Sequence, residues 1–155
     1  MLKIVPAQTN EDFEIAKEIL TEYIDSLGFD LSFQSIEQEL ADLPNHFTWP
    51  EECFLLARNE SQTVGCVAMK RLDNDICEME RLYVKPKFRC LGIGRELAEN
   101  VIKQAQDIGY KCMRLHTILP RDPARNLYFS LGFKDIEPYQ YNPMEKVAFM
   151  ELKLV

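Results

Sequence analysis

The stretch that most narrows what this chain can fold into is Val84-Lys85-Pro86-Lys87-Phe88-Arg89-Cys90-Leu91-Gly92-Ile93-Gly94-Arg95. A strand reaches Pro86, a glycine-bearing loop follows, and an amphipathic helix runs from Gly92 to Ile108 with Ile93, Leu97, Val101, Ile102 and Ala105 on one stripe. The first turn of a helix leaves backbone N–H groups unpaired, and its dipole favours negative charge. Glycine lets a ligand come close to the main chain. Strand, glycine loop and helix start together make a pyrophosphate cradle, to which Arg89 and Arg95 add charge-assisted contacts. The bland alternative is an ordinary glycine turn entering a helix. Two rival glycine motifs fail: a dinucleotide fingerprint from Gly92 needs glycine where Leu97 stands, and no Gly-Lys-Ser/Thr exists for a P-loop.

The elements around this segment set the fold class. Leu2–Pro6 reads as a strand, and Asn10 caps a helix to about Leu27, stopped by Gly28. A second helix spans roughly Ser35–Leu43 and ends at Pro44, with a loop from Asn45 to Glu52. Strands Cys53–Asn59, Thr63–Leu72 and Cys77–Val84 are joined by short polar turns, which makes an antiparallel meander. After the Gly92 helix come a strand at Lys111–Thr117, a helix from Ala124 to Leu131 entered through Asp122-Pro123, and strands Phe133–Glu137 and Val147–Leu154. This order predicts an α/β (mixed α+β) fold: a mostly antiparallel mixed sheet with helices on both faces.

With 155 residues the chain is expected to form one domain, 1–155. A net charge of −7 argues against nucleic acid as partner, because phosphate neutralisation needs a basic face. Against that background Lys85, Lys87, Arg89 and Arg95 fall within eleven positions, either as a solvated basic patch or as the seat of a small polyanion. No apolar run is long enough for a bilayer, and the N-terminus lacks a secretory pattern, so no membrane partner and a cytoplasmic location are expected. The cysteines Cys53, Cys66, Cys77, Cys90 and Cys112 lack the close spacing of a zinc or redox site, and no metal is expected. All but Cys90 sit in predicted strands as small hydrophobes. No histidine lies near Cys90 in the chain, which argues against a catalytic nucleophile there.

Arg89-x-x-Gly92-x-Gly94, after a strand ending Leu82-Tyr83-Val84-x-Pro86, resembles motif A of the GNAT N-acetyltransferase superfamily. Ala124-x-x-Leu127-Tyr128-x-x-x-Gly132-Phe133 resembles the helix-and-turn block that follows in the same family. The two blocks stand in the family order, and the resemblance covers roughly residues 53–137. Cys90 departs from a frequent glycine, and Arg121 from a frequent asparagine.

The resemblance implies that the acetyl group of acetyl-CoA passes directly to an amine through a tetrahedral oxyanion, with release of the thiolate. By this likeness the pyrophosphate meets Arg89, Cys90, Leu91, Gly92, Ile93, Gly94 and Arg95, with Arg121 as a further phosphate contact. The pantetheine arm then runs along Leu82, Tyr83 and Val84, whose strand bulges near Leu82 so that a main-chain N–H polarises the acyl carbonyl. Tyr128 matches the general acid toward the thiolate. The base is Glu78, Glu80 or a water relay, with Glu78 at the better-matching position. Arg81 either pairs with a substrate carboxylate or forms a salt bridge to a neighbouring acid. The loop with Tyr139 and Tyr141 either lines the acceptor pocket or is a stiff connection. His46 and His116 show no partner pattern.

The expected acceptor is a small-molecule amine. Protein acetylation, on a lysine or an N-terminal amine, and a non-catalytic CoA-binding regulatory module are the competing readings, and homodimers are common in such families.

Overall fold

The computed structural model describes residues 1–27, 36–118, 124–141 and 147–155. In chain order the elements are β1 (Leu2–Pro6), α1 (Asn10–Leu27), α2 (Ile36–Ala41), α3 (Leu43–His46), β2 (Cys53–Asn59), β3 (Gln62–Arg71) and β4 (Ile76–Val84). They continue with α4 (Ile93–Ile108), β5 (Cys112–Ile118), α5 (Arg125–Ser130), β6 (Lys134–Ile136) and β7 (Val147–Lys153). A single 3-10 turn at Pro86–Phe88 lies between β4 and α4. The strands form one seven-stranded sheet in the order β1-β2-β3-β4-β5-β7-β6. Every neighbouring pair is antiparallel except β4 with β5. The expected mixed, mostly antiparallel sheet is therefore the one found.

Both faces of the sheet are covered, which is why β2 reads as a continuous apolar run. Cys53, Leu55 and Ala57 point to the face packed by Leu97, Ala98, Val101 and Ala105 of α4. Phe54 and Leu56 point to the opposite face, packed by Ala16, Ile19 and Leu20 of α1 and Leu43 of α3. Adjacent residues thus serve different cores, as the two-residue period of a strand demands.

Three local expectations change. The cap of α1 is Thr9 rather than Asn10: Thr9 Oγ1 accepts from the Asp12 N–H at 3.1 Å, and Asp12 Oδ2 accepts from the Thr9 N–H at 3.1 Å. This reciprocal pair is a capping box closed by aspartate. Pro44 does not end a helix but lies in the first turn of α3, where its missing N–H costs nothing. The predicted helix therefore splits at Asp42 into two short ones, and α3 takes up the start of the expected loop. Gly28 and the Asp122-Pro123 helix start lie outside the described residues.

The feature that positions the site is the one parallel pair. β4 and β5 are in register only from Ile76 to Glu78 against Cys112 to Arg114. Beyond that, β4 is held by β3 and β5 by β7, so the sheet splits toward the C-terminal end of β4. Parallel sheets place ligands outside the carboxyl ends of strands where neighbours part. The loop to α4 leaves β4 at that same end.

Candidate active site

The loop and the start of α4 have the geometry of an anion cradle. Gly92 is the N-cap of α4 in the left-handed region, at φ 84°, with no side-chain cap, and the first helical bond is Glu96 N–H to the Gly92 carbonyl at 3.1 Å. The N–H groups of Ile93, Gly94 and Arg95 precede that bond and have no carbonyl one helical turn back. A Cβ at Gly92 would meet no protein atom within 4 Å, so its missing side chain leaves room on the open side. At Gly94 a Cβ would lie 3.8 Å from Val84 Cγ2 and 3.9 Å from Leu127 Cδ2, where β4, α4 and α5 converge. An uncapped helix start with an open face is what a diphosphate needs, so these residues fit the pyrophosphate of acetyl-CoA.

Arg89 of the loop and Arg95 in the first turn of α4 are tethered. Arg89 Nε donates to the Val84 carbonyl at 2.9 Å, and its guanidinium lies 5.7 Å from the Tyr83 ring centre. Arg95 donates to Ser130 Oγ at 2.6 Å, joining α4 to α5. Both remain exposed, as do Cys90 and Leu91. Cys90 has a φ of 66°, which explains why glycine is frequent there: a side chain in that region costs about 1–2 kcal/mol. Arg121 lies outside the described residues.

β4 changes face midway. Val67 of β3 faces both Arg81 and Leu82, since Ala68 is opposite Glu80 and Cys66 is opposite Tyr83. Arg81 takes a φ of 59° in this bulge. Before it, Cys77 and Met79 point to the α4 face, leaving Glu78 and Glu80 on the α1 face. After it, Leu82 and Val84 point to the α4 face and Tyr83 to the α1 face. The Tyr83 side chain is held there by donating to Glu22 Oε2 at 2.6 Å. Of the strand 82–84, Leu82 and Val84 are the side chains turned toward the helix that carries the cradle.

Glu78 and Glu80 are not solvent-facing. Glu78 is buried, with Tyr139 donating to its Oε2 at 2.5 Å and His116 Nδ1 3.7 Å from the same oxygen. Burial works to raise the Glu78 pKa, but contacts with His116, Glu80 and Tyr139 outweigh it and hold the carboxyl at about 2. Glu80 moves the other way: burial and the neighbouring Glu78 charge push it well above the usual carboxylate range. The two carboxyls are pushed in opposite directions, Glu78 toward the ionised form and Glu80 toward the protonated one. Burial and the Glu78 charge also push the Tyr139 phenol far up, so it remains a donor.

Arg81 meets Glu39 of α2 at 3.3 Å, the neighbouring-acid alternative. Tyr139 reaches the carboxylates, whereas Tyr141 is 86% exposed. Tyr128 is buried on α5 against Phe133, with ring centres 5.9 Å apart. His116 and Gln140, which no sequence pattern marks, join the cluster with Nδ1 and Nε2 3.2 Å apart. The signal that finds His116 is register: β4 and β5 pair at Glu78 and Arg114, which places His116 two residues further along the same face. Among the described residues, no group of three or more His, Cys, Asp or Glu is arranged to hold a metal ion, and no helix is long and apolar enough to cross a membrane.

Residues 16–133 match the acetyltransferase (GNAT) family. An uncharacterized N-acetyltransferase of Schizosaccharomyces pombe is 37% identical over 155 residues, covering 99% of this chain and 95% of the relative. A GNAT-family acetyltransferase from Staphylococcus aureus has a similar fold, with a TM-score of 0.81 and 24% identity over 100% of both chains. PaiA N-acetyltransferase of Thermoplasma acidophilum, solved with coenzyme A, gives a TM-score of 0.73 at 20% identity and 99% coverage of each chain.

Proposed function

The chain belongs to the acetyltransferase (GNAT) family, and from that premise we propose that it transfers an acetyl group from acetyl-CoA directly to a primary amine of a small molecule, within a ternary complex. The observation that carries this reading is the split between β4 and β5, which opens at the strand end leading to the uncapped start of α4. Acetyl-CoA supplies the activated acyl group.

In this reading the main-chain N–H groups of residues 93–95 bind the diphosphate, with Arg89 and Arg95 beside them. Leu82 and Val84 flank the pantetheine arm, and the main-chain N–H at the Arg81–Leu82 bulge donates to the developing oxyanion. Glu78, the carboxylate at the better-matching position, takes a proton from the amine directly or through a water relay. Tyr128 gives a proton to the departing thiolate, as its place in the Ala124-x-x-Leu127-Tyr128 block suggests. The acidic surroundings of Glu78 favour an acceptor that arrives as an ammonium ion.

Thiol release from acetyl-CoA across a panel of free amines and peptides, with and without Tyr128→Phe, tests the proposal. Turnover of free amines that falls about 100-fold in the variant, with acetyl-CoA affinity kept, is expected. Turnover on peptides alone would replace the small-molecule acceptor by a protein one. Acetyl-CoA binding without turnover would leave only a regulatory module.

A further inference from the structure

We infer that Tyr139 is a positioning residue that fixes the Glu78 carboxylate for its encounter with the acceptor amine, and that Gln140 and His116 hold the loop from which it reaches. The inference rests on the transfer reading above, in which Glu78 takes the acceptor's proton.

Tyr139 lies between β6 and β7, 61 positions from Glu78 in the chain, yet its hydroxyl is 2.5 Å from Glu78 Oε2. That is the length of an O–H···O⁻ bond to an ionised acceptor. Its ring is fixed from two directions. The Phe149 ring meets it edge-on, with centroids 5.0 Å apart at 76°, and the Arg114 guanidinium lies 5.1 Å from its centre. Arg114 is itself anchored to Glu151 Oε2 at 2.9 Å. A phenol held in this way meets Glu78 at one place, so one carboxylate oxygen is committed and the side chain cannot swing. The neighbouring Gln140 supplies the second tether, 3.2 Å from His116 Nδ1. Residues 137–141 of this loop lie outside any strand, so the contacts of Tyr139 and Gln140 tie this stretch to the sheet.

The charged and titratable groups around Glu78 come from every packed element. Glu80 adjoins it on β4, with Arg81 and Glu39 beyond, and His116 and Arg114 face it from β5. Lys70 is its cross-strand neighbour on β3, turned to Glu52 at 3.3 Å, and Glu151 stands behind Arg114 on β7. Tyr139 donates to Glu78 directly, beside the side-chain contacts from His116 and Glu80. A hydrogen bond to the ionised form lowers a carboxyl pKa, so removing it raises that pKa. If Glu78 must be ionised for transfer, activity is present above its pKa and lost as pH falls through it. Removing the phenol therefore moves the acidic limb of the rate profile upward.

The experiment is a carbon-detected NMR titration of the glutamate side chains in the full chain and in Tyr139→Phe, run beside the pH dependence of acetyl-CoA turnover on the best amine of the panel. Tyr139→Phe keeps the ring that packs on Phe149 and Arg114. The Glu78 midpoint and the acidic limb are expected to rise together by about one unit, with kcat reduced and the KM for acetyl-CoA unchanged. Gln140→Ala, which leaves the buried ring in place, is expected to shift both in the same direction by less, and it serves if Tyr139→Phe does not fold. An unmoved Glu78 midpoint overturns the inference whatever the activity. A moved midpoint in a protein whose wild type acetylates no amine overturns the transfer reading instead, and leaves the Tyr139–Glu78 coupling standing.

Discussion

The guanidinium of Arg81 meets the carboxylate of Glu39 at 3.3 Å, with 10% and 9% of the two side chains exposed. The pair joins the bulge in β4 to the short helix α2, across 42 positions of chain. It also places a positive charge beside Glu80 that is already compensated. A substrate carboxylate would have to displace Glu39 to reach Arg81.

Breaking such a pair leaves one charge buried alone, which costs far more than losing a surface contact. Glu39→Ala is expected to lower unfolding free energy by about 3 kcal/mol in urea denaturation. A loss under about 0.5 kcal/mol, the scale of an exposed ion pair, would show that the contact holds nothing in place.

Gly65 lies where β3 passes beneath α4. A Cβ there would be 2.8 Å from the Tyr83 carbonyl oxygen and 3.0 Å from Leu97 Cδ1. The Leu97 methyl can turn aside, but the Tyr83 carbonyl is backbone and can be met only by moving a strand. Gly65→Ala is expected to cost about 1–3 kcal/mol in stability and to weaken acetyl-CoA binding measured by calorimetry. Unchanged stability would mean that the strand yields freely.

Cys90 and Gly92 share a left-handed backbone, at φ 66° and 84°, but stand in different surroundings. Cys90→Gly removes side-chain strain of about 1–2 kcal/mol and adds unfolded-state entropy of up to about 1 kcal/mol, so a gain of up to about 2 kcal/mol is expected in urea. Gly92→Glu is expected to lower acetyl-CoA affinity at least tenfold by calorimetry, because its side chain and charge enter the space before the helix start. A destabilised Cys90→Gly, or a Gly92→Glu protein that binds normally, would contradict this account of the loop.

Much of this architecture is legible from local pattern. The limits of β2 at Cys53 and Asn59 and the C-terminus of α4 at Gly109, with φ 104°, fall where apolar runs and glycine put them. The alternation of Cys77, Glu78, Met79 and Glu80 announces two carboxylates on one face. It does not announce that Tyr139 and His116 close over them. Those contacts join residues 61 and 38 positions away from Glu78, and no spacing rule links such distances. Pro44 misleads for a related reason: proline ends a helix interior but is welcome in a first turn, and the chain alone does not say which it occupies.

The amino-acid sequence by itself determined the order of the elements, the glycine loop before α4 and the chemical types available near β4. These depend on backbone freedom and short-range periodicity, which are carried by neighbours in the chain. Only the tertiary structure decided how those groups are used. The parting of β4 from β5 beyond Glu78 follows from how strands separated by the whole of α4 pair, and the register of β4 on β3 fixes which side chains the bulge near Leu82 turns to each face. The ionisation of the carboxylate pair follows in turn, because a charge responds to burial and to whatever donor the fold brings within reach.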